Sequence, residues 1–465
     1  MQGSSPLEAR TLAGNWEGTI KINDVVGLRV ALRVTQSQDG QLSATLYSLD
    51  QGSAGTEVSS IALLDQELRF TIDRLGAEFA GKLDVAGTKC EGEWRQHGVV
   101  GPLTLTKLDG HFAGSLRPQT PQGPFPYREE QVTFRNDGAE VRLAGSLTIP
   151  GAERSSAAVL LISGSGAQDR DGTVFGHKPF LVMADYLTRR GVATLRLDDR
   201  GIDGSTGNLS SSTILDLAGD VLAGVRFLTA HKNIDPRKVG LIGHSEGASV
   251  GALAATRCTD VAFLVLMAAP GLPGEQVLDL QRRLINTRAG NSPALMEWEE
   301  ALVRRLVGVL KNQEDDQKAE AAMGIIIQQE VAAKPRTEPD ESYDISGILS
   351  AQAAAMCTPW FRDFLTYDPR PTLEKVGCPV LAVTGSRDMQ VPSNPNLSEI
   401  KRALLAGGNR NAAIVQLPNL NHLFQTSSGG TPLEYGEIQE TIAPTALKLI
   451  GDWILTGAAE RPSNV

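Results

Sequence analysis

Five residues of the chain, Gly243-His244-Ser245-Glu246-Gly247, place a serine between two glycines in the pattern G-x-S-x-G. The apolar run Val239-Gly240-Leu241-Ile242 precedes them, and a small-residue stretch from Ala248 to Ala255 follows. That succession reads as buried strand, sharp turn and helix, which lifts a serine hydroxyl to the edge of a sheet. The turn requires a strained backbone at Ser245, and glycine on both flanks leaves space for it. The helix that follows aims its positive N-terminal end at the serine. A serine hydroxyl near neutral pH is a poor nucleophile and needs a base beside it.

The sequence holds six histidines. His97 and His111 fall in or beside a strand-rich N-terminal segment, and His231 adjoins Lys232 at a helix end. His244 belongs to the elbow itself and is expected to point away from Ser245. His177 follows the first strand of the sheet and is a candidate pocket residue. His422, in Asn419-Leu420-Asn421-His422-Leu423-Phe424, lies in a loop beyond the last core strand and is the expected base. A base of this kind needs a carboxylate to fix its tautomer. Asp388 in Gly385-Ser386-Arg387-Asp388 follows an apolar strand and is the expected acid, with Asp363 and Asp368 as less well placed alternatives. The order Ser, Asp, His is that of one sheet architecture among several that carry this triad. The oxyanion needs two donors already in place. One is the backbone N–H of Glu246. The other comes from Ser163-Gly164-Ser165-Gly166, where Ser165 is favoured and Gly166 is the alternative. That glycine run lacks the Lys-Ser/Thr of a phosphate-binding loop and the spacing of a dinucleotide fingerprint.

These groups need a scaffold. Ala158–Ile162, Val192–Leu197, Val239–Ile242, Ala262–Met267, Pro379–Thr384 and Ala413–Leu417 are continuous apolar runs, as expected of strands buried on both faces. Ile214, Leu217, Val221, Val225 and Leu228 follow helical spacing. Alternating strands and helices predict an α/β fold with a mostly parallel sheet. A hairpin leads into it: Val132 and Phe134, a turn at Asn136-Asp137-Gly138, then alternation from Val141 to Ile149. Between the fourth and fifth core strands, residues 272–368 form a long insertion whose middle, Trp298 to Lys334, has helical composition, and it is expected to cap the sheet. Trp298, Met323, Trp360, Phe361 and Phe364 in it are candidates to line a substrate pocket. Glu314-Asp315-Asp316 reads as a solvated face, not a metal site.

Residues 1–109 have a different period. Leu28, Val30, Leu32 and Val34 alternate with Arg29, Ala31, Arg33 and Thr35, and Leu68, Phe70, Ile72 and Phe79, Gly81, Leu83, Val85 repeat the pattern. Turns at Asp39-Gly40 and Ala86-Gly87 separate such runs. A small antiparallel β-barrel is expected, since closure removes exposed edges. Gly14-Asn15-Trp16 with Gly18 resembles the opening strand of lipocalin-like barrels. Pro118, Pro121, Pro124 and Pro126 then mark an extended linker over 110–127, and the catalytic part is expected to occupy 128–458.

Composition narrows the functions. At 465 residues the chain exceeds the roughly 250–300 residues at which a single core stops growing. With 41% hydrophobic and 21% charged residues it is an ordinary globular sequence. A formal net charge of −10, without a basic tract, argues against nucleic acid as a partner. No run is apolar for long enough to span a bilayer. The four cysteines, Cys90, Cys258, Cys357 and Cys378, are far apart, which argues against a zinc site or a disulfide framework. Met1-Gln2-Gly3-Ser4-Ser5-Pro6 lacks the apolar core of a signal peptide. That fits a cytoplasmic protein, or a periplasmic or secreted one whose leader has been removed. The oligomeric state stays open.

Several segments together resemble a bacterial α/β-hydrolase esterase family, of the prolyl-oligopeptidase-like or dienelactone-hydrolase-like kind. They are Ser163 to Gly166 with Gln168-Asp169-Arg170-Asp171, Gly176-His177-Lys178-Pro179-Phe180, Asp198-Asp199-Arg200-Gly201, Gly243 to Gly247, and Leu420-Asn421-His422 with Phe424-Gln425. The resemblance covers about 128–458. It implies the α/β-hydrolase fold, hydrolysis of small or short-chain carboxylic esters through an acyl-serine, no metal or other cofactor, and a triad on Ser245, Asp388 and His422. The Asp199-Arg200 pair is expected to brace the loop after its own strand. A serine peptidase, thioesterase or lactonase with the same triad is the nearest alternative. A peptidase with an N-terminal propeller is disfavoured, because 109 residues cannot supply blades of about 40 residues each. A binding module with an inert hydrolase half is the alternative of a different class.

Overall fold

The computed structural model describes residues 12–21, 27–37, 40–48, 56–96, 99–108, 117–151, 156–335 and 346–457. The chain divides into two compact units. One is formed by residues 1–116, 174–176 and 288–357, the other by 117–173, 177–287 and 358–465.

The first unit contains strands β1 (Gly14–Lys21), β2 (Gly27–Gln36), β3 (Leu42–Ser48), β4 (Thr56–Glu57), β5 (Ser60–Leu64), β6 (Glu67–Ile72), β7 (Ala77–Leu83), β8 (Lys89–Gln96) and β9 (Val99–Leu108). They form one antiparallel sheet in the order β4-β3-β2-β1-β9-β8-β7-β6-β5. Its edges, β4 and β5, are separated in the chain by Val58 and Ser59 alone. Val58 N–H bonds Ala44 O at 3.0 Å and Ser59 N–H bonds Thr71 O at 2.8 Å. A two-residue link between opposite edges forces the sheet to curl upon itself, and the result is barrel-like. The inward residues of the alternating pattern, among them Trp16, Leu32, Phe70, Phe79 and Trp94, make one core. Val85 departs from the sequence reading: β7 stops at Leu83, and Val85 is 96% exposed in the turn that follows. The same unit holds helices Pro293–Asn312, Asp316–Ala332 and Ser346–Met356. The acidic run Glu314-Asp315-Asp316 is more than a solvated face, for Asp315 caps the second of these helices by accepting from Lys318 N–H at 3.0 Å.

The second unit is built on β10 (Tyr127–Asn136), β11 (Val141–Pro150), β12 (Ser156–Ile162), β13 (Val192–Leu197), β14 (Ile234–His244), β15 (Val261–Met267), β16 (Val380–Gly385) and β17 (Ala412–Leu417). Their order is β10-β11-β13-β12-β14-β15-β16-β17. β10, β11 and β13 pair antiparallel, and every pair from β13 to β17 is parallel. Helices cover both faces. Ile214–Thr229, Glu246–Ala255 and Ser393–Ala406 bury Val221, Val225, Val250 and Ile400 against one side. Pro179–Arg189 and Pro444–Gly457 bury Met183, Leu187, Ile450 and Ile454 against the other. The Pro-rich segment is docked within this unit: Arg117 bonds the carbonyls of Gly436 and Ile438, both at 2.8 Å, and Gln119 bonds that of Ile442 at 2.7 Å. Among the described residues no helix is long and apolar enough to cross a membrane.

The strand order decides where a ligand can sit. The chain runs from β12 to β13 on one side and then crosses to β14 on the other, which puts a switch in strand order at the C-terminal ends of β12 and β14. The loops leaving those two strands carry Ser163 to Gly166 and Ser245. They approach so closely that a Cβ on Gly247 would lie 2.2 Å from Ser163 O. Gly247→Ala is therefore expected to destabilise the protein by about 1–3 kcal/mol, measured by urea unfolding. An unchanged midpoint would contradict the packing described.

Candidate active site

The elbow forms as its sequence requires. β14 ends at His244, the helix Glu246–Ala255 begins one residue after Ser245, and Ser245 stands between them at φ 56° and ψ −124°. This conformation costs a non-glycine residue of order 1–3 kcal/mol and persists only where the surroundings hold it. Ser245 N–H bonds Met267 O on β15 at 2.8 Å, and Ala248 N–H bonds Ser245 O at 3.0 Å. A Cβ on Gly243 would lie 2.2 Å from Gly247 O, so strand and helix touch backbone to backbone across the serine.

Asp388 follows β16, and its side chain is fully buried. Its Oδ1 accepts from Gln390 N–H at 2.9 Å and Val391 N–H at 2.8 Å, while Oδ2 meets His422 Nδ1 at 2.8 Å. Nδ1 thus carries the proton toward the carboxylate, and Nε2 is left to exchange one with a substrate. The loop bearing His422 is tied within itself: Asn421 Oδ1 accepts from Leu423 and Gln425 N–H, and Gln425 Nε2 reaches Glu440 O at 3.0 Å. It is also tied to the elbow. His244 Nε2 donates to His422 O at 2.9 Å, and the two rings lie 4.8 Å apart. Desolvation, with His422 nearby, pushes His244 down to about 3, so it is a neutral donor. Among the described residues Ser245 Oγ and His422 share no direct hydrogen bond; such contacts commonly tighten only once substrate is bound.

The loop after β12 runs against the serine. A Cβ on Gly164 would lie 3.2 Å from Ser245 Cβ, and Gly166 has φ 86° with open space around it. Glu246 supplies a backbone N–H at the start of the helix and is itself buried, its carboxyl accepting from Trp360 Nε1 at 3.1 Å.

A model of the alpha/beta hydrolase family matches residues 159–431. The chain belongs to that family. It is similar to the esterase EstD of Thermotoga maritima, with 26% identity over 348 residues, or 73% of this chain and 72% of the relative. Among solved structures it is similar to an esterase of Pyrococcus furiosus, Pf2001, at 14% identity, covering 73% of this chain and 97% of that one, with a TM-score of 0.44. It is also similar to DcsB in complex with its substrate analogue, at 15% identity, covering 72% and 100%, with a TM-score of 0.44.

In this α/β hydrolase a pocket lies beside the elbow, lined by Ser163, Gly164, Gly166, Asp199, Glu246 and Trp360 among others. A smaller one also touches Glu246 and includes Ser249, Phe364 and Tyr367. Trp360 and Phe364 thus stand on cavity walls, and Phe361 packs against both rings at 6.0 and 6.1 Å. The other pocket candidates are placed differently. His177 is 1% exposed; its Nδ1 bonds Thr441 Oγ1 at 2.8 Å, and its Nε2 either accepts from Gln425 Nε2 at 2.9 Å or donates to Tyr435 O at 3.0 Å according to the tautomer, so it braces the interior behind the His422 loop. Met323 is fully buried beside Cys357, and Trp298 bonds Glu330 O at 2.8 Å, both within the helices of the first unit. Asp363 accepts from Ile214 N–H and Asp368 pairs with Arg370, so neither fallback acid meets His422. His231 faces Glu130, and His97 and His111 lie outside the described residues. Among the described residues no group of His, Cys, Asp or Glu is arranged to hold a metal ion.

Three polar residues near the elbow escaped the sequence reading. His244 was visible as part of the motif, but its tether to residue 422 arises only in three dimensions. Glu246 was read for its N–H and not for its carboxyl. The expected Asp199-Arg200 brace is split: Arg200 does bond Ser212, Asp216 O and Asp220 beyond its strand, whereas Asp199 turns to Ser163 and Gln168.

Burial raises Glu246 from 4.5 to about 7. The native state therefore keeps a proton that the unfolded chain has already released, and the stability this group contributes is full below pH 4.5 and lost as pH rises through 7. Glu246→Gln removes that loss. Relative to wild type, the variant is expected to gain on the order of 1–3 kcal/mol of unfolding free energy between pH 5 and pH 8. A difference that does not vary with pH would contradict the assignment.

Proposed function

We propose that this protein is a serine carboxylic-ester hydrolase acting on small or short-chain acyl esters, with Ser245 as nucleophile, His422 as base and Asp388 as its orienting acid. The observation that carries the reading is the 2.8 Å bond from Asp388 to His422 Nδ1, on a loop whose own carbonyl is held by the residue preceding Ser245. The name of the Thermotoga relative supports ester hydrolysis.

In the proposed reaction His422 Nε2 takes the Ser245 proton while Oγ attacks the ester carbonyl. The carbonyl oxygen becomes an oxyanion, received by the N–H of Glu246 and that of Ser165, with Gly166 as the alternative donor. Collapse of the tetrahedral species breaks the bond to the alkoxy oxygen, and His422 returns the proton to the departing alcohol. Water then attacks the acyl-serine with the same base, releasing the acid and restoring Ser245. A thioester, lactone or peptide carbonyl would enter the same cycle, so the acyl and leaving-group preference is read from a substrate series.

Ser245→Ala is expected to lower kcat for p-nitrophenyl butyrate by about 10⁴-fold or more, with the circular dichroism spectrum unchanged. Asp388→Asn should fall by a comparable factor, because it no longer fixes the tautomer of His422. Wild-type turnover by a folded Ser245→Ala variant would refute the proposal and favour a binding role.

A further inference from the structure

The loop Ser163 to Gln168 must present an oxyanion donor, yet its own sequence does little to hold it. Two of its residues are glycine, and Gly166 stands in the left-handed region. Donors contribute to catalysis only if they are in place before charge develops, so this backbone has to be fixed from outside.

We propose that Asp199 is the positioning residue of the oxyanion hole, its carboxyl group clasping both ends of the loop 163–168 and so setting the loop's N–H donors against Ser245. This rests on the hydrolase reading above and assigns a task to a motif that the triad leaves unused. One oxygen, Oδ1, receives the Ser163 hydroxyl at the start of the loop. The other, Oδ2, receives Gln168 N–H at 2.8 Å at its end, and Asp199 N–H returns a bond to Gln168 O at 3.1 Å. The neighbouring Asp198, fully buried, holds Arg170 N–H and Nε through Oδ1, both at 2.9 Å, and carries the same support two residues further. The middle of the loop is held by its own Gln168, whose Nε2 donates to Ser165 O at 3.4 Å. Asp199, Ser163, Gly164 and Gly166 share one cavity wall, so the clasp lies beside the reacting centre without entering it.

The charge state is compatible with this task. A fixed negative charge here would oppose the oxyanion, and burial pushes Asp199 up from 3.8 to about 7. A neutral amide of the same shape can reproduce both arms, its oxygen toward Gln168 N–H and its NH₂ toward Ser163 Oγ.

The test is steady-state kinetics with p-nitrophenyl butyrate, together with inhibition by phenylboronic acid, which forms a tetrahedral adduct with a reactive serine. Asp199→Ala is expected to lower kcat by about 10²-fold with little change in KM, and to weaken boronate inhibition in proportion. Asp199→Asn should restore both. Ser163→Ala, which removes one arm only, should show a smaller loss of the same kind and serves if Asp199→Ala does not fold. Undiminished kcat in folded Asp199→Ala, or in Ser163→Ala, overturns the clasp while leaving the hydrolase intact. An Asp199→Asn variant as impaired as Asp199→Ala also overturns it, since charge and not geometry would then be the requirement. Absence of turnover in the wild-type protein overturns the underlying reading and this one with it.

Discussion

One backbone conformation governs the rest of this structure. Ser245 sits at a positive φ between a strand and a helix that touch through two glycines, and no relaxed arrangement of that chain segment would keep the serine at the sheet edge. The buried parallel strands on either side hold the conformation: Ser245 N–H is bonded to β15, and Gly247 lies against the loop that leaves β12. The stability of the sheet therefore maintains strain at one residue, as is usual where a backbone serves chemistry.

Around that point the structure economises on charge. His244 is kept neutral, and Glu246 and Asp199 are pushed toward protonation, all chiefly by loss of water. Their work is done through hydrogen bonds: His244 to the carbonyl of His422, Asp199 to the loop Ser163 to Gln168, and Glu246 to the indole of Trp360. A site in which negative charge must develop on a substrate oxygen gains from neighbours that hold geometry without adding a negative field. Asp388 stands apart from these, because in the proposed mechanism its bond of 2.8 Å to His422 Nδ1 faces the imidazolium that would form there.

Much of this could be read from the letters, and the reason is that the relevant signals are local. The elbow needs its glycines within two residues of the serine, and buried strands announce themselves as apolar runs. Val192–Leu197 was recovered to the residue, and Ala262–Met267 and Ala413–Leu417 to within one. β14 begins at Ile234, earlier than the expected Val239, because its polar start at Asp235 to Lys238 hides the strand. The part of the insertion with helical composition, Trp298 to Lys334, falls on two helices, and the composition hides the break, where Asp315 caps the second. What stayed hidden depends on convergence. Nothing in the spacing of Asp199 and Ser163, or of His177 and Gln425, indicates that each pair meets, since parallel strands separate the partners in sequence while bringing them together in space. Met323 and Trp298 mislead for a related reason, since an apolar side chain in a helical insertion suits a packed interior as well as a pocket.

The central claim is that the strained serine is a nucleophile activated by His422. It is tested most directly by treating the protein with diisopropyl fluorophosphate and locating the adduct by peptide mass spectrometry. The account predicts one phosphoryl adduct, on the peptide containing Ser245, and its loss in a folded His422→Ala variant. An unmodified Ser245, or labelling that is indifferent to residue 422, would contradict it.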